Sequence, residues 1–306
     1  MKSALVIGSR GSQLALVQAN AMADALREAA TGLTVTIEVI HTKGDHIRDT
    51  PLAQIGGKGL FTKELEVALA EGRIDLAVHS LKDLPTELPE GLTLGAVPER
   101  ETPYDAFVCE RFHDVAELPV GAKVGTSSLR RQAQLLAYRP DLKVVNLRGN
   151  VETRVRRVAE GAVDAAILAC AGLERLGLCE SIRSTLPVDI MIPAPAQGAL
   201  GIEVRADDAG TIEILERIAD PYATAEVVAE RTCLAALEGG CQVPIGALAR
   251  VQGSRLSLTA CVCSVDGKTV LKTQCEGAAS DAVSLGQAAA LQLLEQGAAD
   301  LIAATR

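Results

Sequence analysis

The sequence predicts an α/β protein of two similar domains followed by a smaller α+β domain, and three observations carry that expectation. First, Glu71-Gly72-Arg73-Ile74-Asp75-Leu76-Ala77-Val78 recurs as Glu160-Gly161-Ala162-Val163-Asp164-Ala165-Ala166-Ile167. Second, the turn Ile7-Gly8-Ser9-Arg10-Gly11-Ser12 is echoed more weakly by Val124-Gly125-Thr126-Ser127-Ser128. Third, the pattern changes from about Pro221 into a helix, alternating segments and a final alanine-rich helix.

In chain order, the apolar run before Arg10 reads as a strand and the glycine-serine segment after it as a strand-to-helix turn. Helical patterns over 58–70 and 151–159 are each stopped by a glycine at C′, and each is followed by a short apolar run that reads as a buried strand. Pro98 to Pro103 and Pro193 to Gln197 read as two crossings between domains, so the first domain is discontinuous. The expected partition is 1–98 with 198–217, then 103–193, then 221–306. In the last part a helix over 222–237 leads to Leu237-Glu238-Gly239-Gly240-Cys241-Gln242-Val243-Pro244. Alternation in Arg255-Leu256-Ser257-Leu258-Thr259-Ala260-Cys261-Val262 marks a strand, Asp266-Gly267 a hairpin turn, and a helix begins at about 281.

Composition narrows the function. The net charge of −9 argues against nucleic acid, whose binding rests on a broad basic face, and the 2% aromatic content removes the base-stacking platform. Arginines nevertheless outnumber lysines by 21 to 9, and Arg130, Arg131, Arg139, Arg148, Arg154, Arg156 and Arg157 are crowded together, which suits clamping of carboxylates or phosphates. Arg156 and Arg157 read as a solvated helix face. The apolar stretch at Leu5-Val6-Ile7 is too short for a signal-peptide core, so a cytoplasmic location with reduced thiols is expected. No exposed apolar helix stands out, and a monomer is expected.

In α/β domains ligands bind beyond the carboxyl ends of parallel strands, where helix N-termini offer N–H groups to anions. The turns at Arg10 to Ser12, His79 to Asp83, Thr126 to Arg131 and Leu147 to Asn150 are expected at such ends, converging on one cleft. In Ser80-Leu81-Lys82-Asp83-Leu84-Pro85 a carboxylate stands beside a cation at a strand mouth, where it could stabilise positive charge on a substrate or shuttle a proton. A surface ion pair or a helix cap is the competing reading. Of the eight cysteines, none forms a Cys-x-x-Cys pair or a zinc spacing, so no metal is expected. Cys170, Cys261 and Cys263 read as small hydrophobes. Cys241, flanked by two glycines and Pro244, reads as a presented thiol.

Four of these motifs together, Val78-His79-Ser80-Leu81-Lys82-Asp83-Leu84-Pro85, Gly125-Thr126-Ser127-Ser128-Leu129-Arg130-Arg131, Leu147-Arg148-Gly149-Asn150 with Thr153-Arg154, and Leu237-Glu238-Gly239-Gly240-Cys241, closely resemble porphobilinogen deaminase, also called hydroxymethylbilane synthase. The resemblance runs in register from residue 4 to the C-terminal helix. It implies two doubly wound α/β domains of the type seen in class II periplasmic binding proteins, plus a third domain with a small antiparallel sheet. It implies a transferase that condenses four porphobilinogen molecules head to tail, releases ammonia at each step, and builds the chain on a covalent dipyrromethane cofactor attached by a thioether to the residue matching Cys241. By the same resemblance Asp83 stabilises the pyrrole nitrogens as cationic azafulvene character develops. Arg10, Arg130, Arg131, Arg148, Arg154 and Arg175 meet acetate and propionate groups, while Ser12, Ser80, Lys82, Thr126, Ser127, Ser128 and Gln197 line the cofactor and substrate site. Two departures from the family pattern stand out. Gln54 replaces a basic residue common before Gly56-Gly57-Lys58-Gly59-Leu60-Phe61, and Ala196 replaces a glycine, which would stiffen the second crossing.

Two rival functions remain at this level. A cytoplasmic solute-binding protein for an anionic ligand would share the fold and would show the mass of the bare polypeptide. A thiol-dependent hydrolase would need a histidine base, and His41, His46, His79 and His113 all lie far from Cys241 in sequence.

Overall fold

The computed structural model describes residues 2–42, 62–238 and 243–305. Gln54, the segment Gly56 to Phe61, His46 and Cys241 lie outside the described residues. In chain order the strands are β1 (Ala4–Ser9), β2 (Thr34–Val39), β3 (Leu76–Ser80), β4 (Leu92–Ala96), β5 (Asp105–Cys109), β6 (Lys123–Gly125), β7 (Lys143–Val145), β8 (Ala165–Ala169), β9 (Ser184–Thr185), β10 (Leu200–Arg205), β11 (Ile245–Gln252), β12 (Arg255–Cys263) and β13 (Val270–Ala278). The α-helices are α1 (Gln13–Ala29), α2 (Lys63–Ala70), α3 (Leu129–Tyr138), α4 (Val151–Ala159), α5 (Cys170–Arg175), α6 (Ala209–Leu215), α7 (Pro221–Ala236), α8 (Ala282–Glu295) and α9 (Ala298–Ala303). The chain divides into two compact units, Met1–Glu101 with Ala199–Thr224, and Thr102–Gly198 with Ala225–Arg306.

The first unit holds a five-stranded sheet of order β2-β1-β3-β10-β4, in which β2, β1 and β3 are parallel and β10 runs antiparallel to β3 and β4. Alternation along the strands sends Leu5, Ile7, Leu76 and Val78 to one face, under Ala19, Ala23 and Leu26 of α1. Val6 and Ala77 point to the other face, under Leu65, Ala68 and Leu69 of α2. Both faces are covered, so the sheet is doubly wound.

The second unit repeats the plan. Its sheet has order β7-β6-β8-β5-β9, with β7, β6 and β8 parallel and β5 antiparallel. Phe107, Val124, Ala165 and Ile167 pack with Leu135 of α3, while Ala106, Val108, Ala166 and Leu168 pack with Val155 and Val158 of α4. The internal repeat now has a structural meaning. Gly72 and Gly161 both take left-handed backbone, at φ 70° and 72°, where glycine has no Cβ to clash. The repeated aspartates do the same work one unit apart: Asp75 accepts the N–H of Val6 at 2.8 Å, and Asp164 accepts the N–H of Lys123 at 2.8 Å. Each carboxylate thus locks its strand to the neighbouring parallel one.

The second unit also holds a separate antiparallel sheet of order β11-β12-β13, matching the expected small α+β part. Its core joins Leu256, Leu258 and Ala260 to Ala229 and Cys233 of α7 and to Ala289 and Leu293 of α8. Gly286 lets α8 approach α7 closely, since a Cβ there would lie 2.5 Å from the carbonyl oxygen of Ala229. Asp266-Gly267 is the hairpin turn between β12 and β13, with Gly267 at φ 73°.

Candidate active site

The antiparallel strands β10 and β5 each begin beside the carboxyl end of a parallel strand, Leu200 opposite Ser80 and Asp105 opposite Ala169. Of the sequence-derived site residues, Arg10 and Ser12 follow β1, Ser80 to Asp83 close β3 and the turn after it, Thr126 to Arg131 follow β6, and Arg148 follows β7. In the first unit, Ser12 caps α1 by accepting the N–H of Ala15 at 3.3 Å, and Arg10 beside it is partly exposed. After β3 the chain makes a single tight turn over Leu81–Asp83. Leu81 and Leu84 are buried, and the Leu81 N–H donates to the Ala199 carbonyl at 3.0 Å. Leucines three residues apart facing inward turn Lys82 and Asp83 outward, leaving Lys82 partly exposed and Asp83 exposed. Ser80 accepts a hydrogen bond from Nε2 of Gln18 at 2.8 Å, which ties the strand end to α1. His79 points the other way, into the core, with Nε2 3.0 Å from Oε2 of the fully buried Glu203.

In the second unit, Ser127 Oγ donates to the Leu147 carbonyl at 2.6 Å and joins the ends of β6 and β7. Thr126 Oγ1 accepts the Ser128 N–H at 3.2 Å, and Ser128 caps α3 by accepting the Arg131 N–H at 3.4 Å. Arg148 follows β7, and Asn150 caps α4 by accepting the Thr153 N–H at 3.0 Å. Arg154 folds back over that helix start, its Nε donating to the Gly149 carbonyl at 2.9 Å. Arg175 donates to the Gly198 carbonyl at 2.8 Å. Arg148, Arg154 and Arg175 are all partly exposed.

Arg130 and Arg131 are only 4% and 6% exposed and converge on Asp105, which is fully buried. Arg130 reaches it through both terminal nitrogens at 2.7 and 3.3 Å, and Arg131 through Nε and a terminal nitrogen at 2.9 and 2.7 Å. Gln197 Nε2 donates to Asp105 at 3.1 Å and to the Pro103 carbonyl at 2.7 Å. Burial alone would raise the Asp105 pKa, but the two guanidinium groups outweigh it and hold the carboxyl far below the usual range. Burial lowers the Arg131 pKa, opposed by the same carboxylate. Two cations against one anion leave a net positive charge, and Nε of Arg130 is buried without a hydrogen-bond partner among the described residues.

Sequence reasoning missed Asp105. The signal was its place at the head of the apolar run Ala106-Phe107-Val108-Cys109, because a charge opening a buried strand needs a countercharge. It also missed Glu203, Glu230 and Gln18, whose partners are remote in sequence.

Among the described cysteines, burial pushes the Cys170 thiol up to about 11 and the Cys233 thiol up to about 12, which makes both poor nucleophiles. Cys179 is exposed. No group of three or more His, Cys, Asp or Glu side chains suited to a metal occurs among the described residues, and no described helix is long and apolar enough to cross a membrane.

In each α/β unit arginine follows the carboxyl end of a parallel strand, Arg10 after β1 in the first and Arg148 after β7 in the second. Residues 5–213 match the family model "Porphobilinogen deaminase, dipyromethane cofactor binding domain", and residues 224–295 match "Porphobilinogen deaminase, C-terminal domain". The chain is 53% identical to a porphobilinogen deaminase of Desulforudis audaxviator over 306 residues, covering 100% of this chain and 99% of that one. It is 50% identical to one of Pelotomaculum thermopropionicum, covering 100% and 98%, and 52% identical to one of a Roseiflexus species, covering 99% and 100%. The chain belongs to the porphobilinogen deaminase family. Among solved structures it is similar to the methionine-binding protein MetQ, at TM-score 0.47 and 14% identity over 71% of this chain and 90% of that one. It is also similar to a periplasmic substrate-binding protein of an ABC transporter from Coxiella burnetii, at TM-score 0.45 and 15% identity over 72% and 94%.

Proposed function

We infer that this chain is a transferase that condenses four molecules of porphobilinogen into linear hydroxymethylbilane, with loss of ammonia, on a covalently held dipyrromethane. The observation that carries this reading is the match of residues 5–213 to the cofactor-binding domain of the family. A solute binder has no support beyond likeness of fold, which does not fix function.

The donor set suits the cofactor. Dipyrromethane and its elongated forms present carboxylates and pyrrole N–H groups, and the strand mouths present guanidinium groups and one exposed carboxylate. When bound, the dipyrromethane supplies the pyrrole carbon from which the chain is built. Cys241 holds it, through addition of its thiol to a carbon electrophile. Arg10, Arg148, Arg154 and Arg175 bind acetate and propionate groups, and Ser12, Ser80, Lys82, Thr126, Ser127 and Ser128 orient them. Arg130 and Arg131, with Asp105 and Gln197 behind them, add a cation that is already in place before the ligand arrives. Asp83 accepts hydrogen bonds from pyrrole N–H groups and stabilises the positive charge that develops as ammonia departs. The same carboxylate takes and returns a proton.

The three-domain partition, a monomeric state, a cytoplasmic location and the absence of a nucleic-acid partner complete the proposal. Turnover of porphobilinogen by the purified protein tests it, with ammonia and hydroxymethylbilane as joint products. Asp83→Asn keeps the shape of the side chain and is expected to lower turnover by on the order of 10²–10³ while binding persists. Near-normal turnover in that variant would remove Asp83 from the mechanism.

A further inference from the structure

Glu230, in the third turn of α7, has no solvent exposure. Its two carboxylate oxygens accept main-chain N–H groups from two different segments, Ala196 at 2.6 Å and Ala249 at 2.7 Å. An amide or hydroxyl side chain could not serve both donors equally, because a glutamine has a single oxygen. The charge-assisted bond to Ala196 falls on a backbone position that is unfavourable by itself. Ala196 is fully buried and sits at φ 61°, in the left-handed region that disfavours a side chain by roughly five- to thirtyfold in equilibrium.

The segment that Glu230 grips also holds the cationic residues. Gly198 accepts from Arg175, and Gln197 bonds Asp105 and lies 3.5 Å from a terminal nitrogen of Arg131. At its other end, α7 stops at Ala236, five positions before Cys241. We propose that Glu230 is a positioning residue for elongation: it holds Ala196 in its left-handed conformation and so registers the helix leading to Cys241 against the segment that supports Arg131 and Arg175. This rests on the reading that Cys241 carries the dipyrromethane and that these arginines hold pyrrole carboxylates. A shift of about 1 Å between an attached chain and its anchors is enough to slow a reaction by on the order of a hundredfold.

The test uses the loaded enzyme. Intact mass first establishes whether wild-type protein carries two pyrrole units; a bare mass in active protein would sink the underlying reading before any variant is considered. In Glu230→Gln, the adduct is expected to remain, with kcat down roughly ten- to hundredfold at unchanged KM, measured where thermal unfolding shows the variant to be folded. Adding Ala196→Gly is expected to restore most of kcat, since glycine holds the left-handed conformation without the clamp. Glu230→Asp, one methylene too short to reach both donors, gives the same test if the glutamine variant does not fold. A loss of kcat that merely follows the folded fraction, or a double variant no faster than Glu230→Gln, would overturn the proposal.

Discussion

Replacing Asp105 by asparagine removes the one carboxylate that faces two buried guanidinium groups while leaving its shape. The structure gives the scale. Four charge-assisted contacts between 2.7 and 3.3 Å join Asp105 to Arg130 and Arg131, at a site where all three side chains are essentially out of solvent. Removing one partner from a buried ion pair costs about 3–5 kcal/mol, because the remaining charge stays desolvated. Here two like charges are left side by side, so the upper part of that range is expected. The total stability of a folded domain is only about 5–15 kcal/mol, so the variant loses a large share of it. With a urea slope of about 2–3 kcal/mol/M, a loss of about 4–5 kcal/mol should lower the unfolding midpoint by roughly 1.3–2.5 M. Urea titration at neutral pH, followed by circular dichroism, measures it. A loss below about 1 kcal/mol would show that the arginines find other partners, and the reading of Asp105 as their anchor would be refuted.

Arg148→Leu and Arg154→Leu should each lower turnover or stall elongation at nearly unchanged thermal stability, because both are partly exposed beside the capped start of α4. Unfolding without a specific elongation defect would instead make them structural. Asp208 gives a pH dependence: burial opposes its ionisation, but hydrogen bonds from Lys2 and Thr211 prevail and hold the carboxyl at about 2. An unfolded aspartate titrates at about 3.9, so between those values the unfolded chain binds more protons. The contribution is complete above about pH 4 and is lost as pH falls through about 2. Asp208→Asn should therefore flatten the decline of the urea midpoint between pH 5 and pH 3, and an unchanged slope would count against the assignment.

The contrast between Asp75 and Asp105 shows what sequence could and could not reveal. Asp75 lies in a repeated segment, and its twin Asp164 makes the same strand-to-strand bond, so the echo marks two like α/β units in the sequence itself. The turn glycines and the Asp266-Gly267 hairpin were legible for a similar reason, because backbone conformation at those positions is dictated locally. Asp105, Glu203 and Glu230 act through partners 19 to 124 positions away, which local pattern cannot register. Ala196 lies between the two cases. Its departure from glycine was visible, but that the position is left-handed, and that Glu230 holds its N–H, emerges only from the fold. At the candidate site, motifs could nominate Asp83 and the partly exposed Arg148, Arg154 and Arg175, whereas the burial of Arg130 and Arg131 against a carboxylate was not legible.

Intact mass spectrometry of the purified enzyme, with peptide mapping, tests the central claim most directly. The account predicts a wild-type mass above that of the polypeptide by two pyrrole units, an adduct confined to residues 237–246, and its loss in Cys241→Ser together with activity. An unmodified mass in active enzyme, or an adduct on another thiol such as the exposed Cys179, would contradict it.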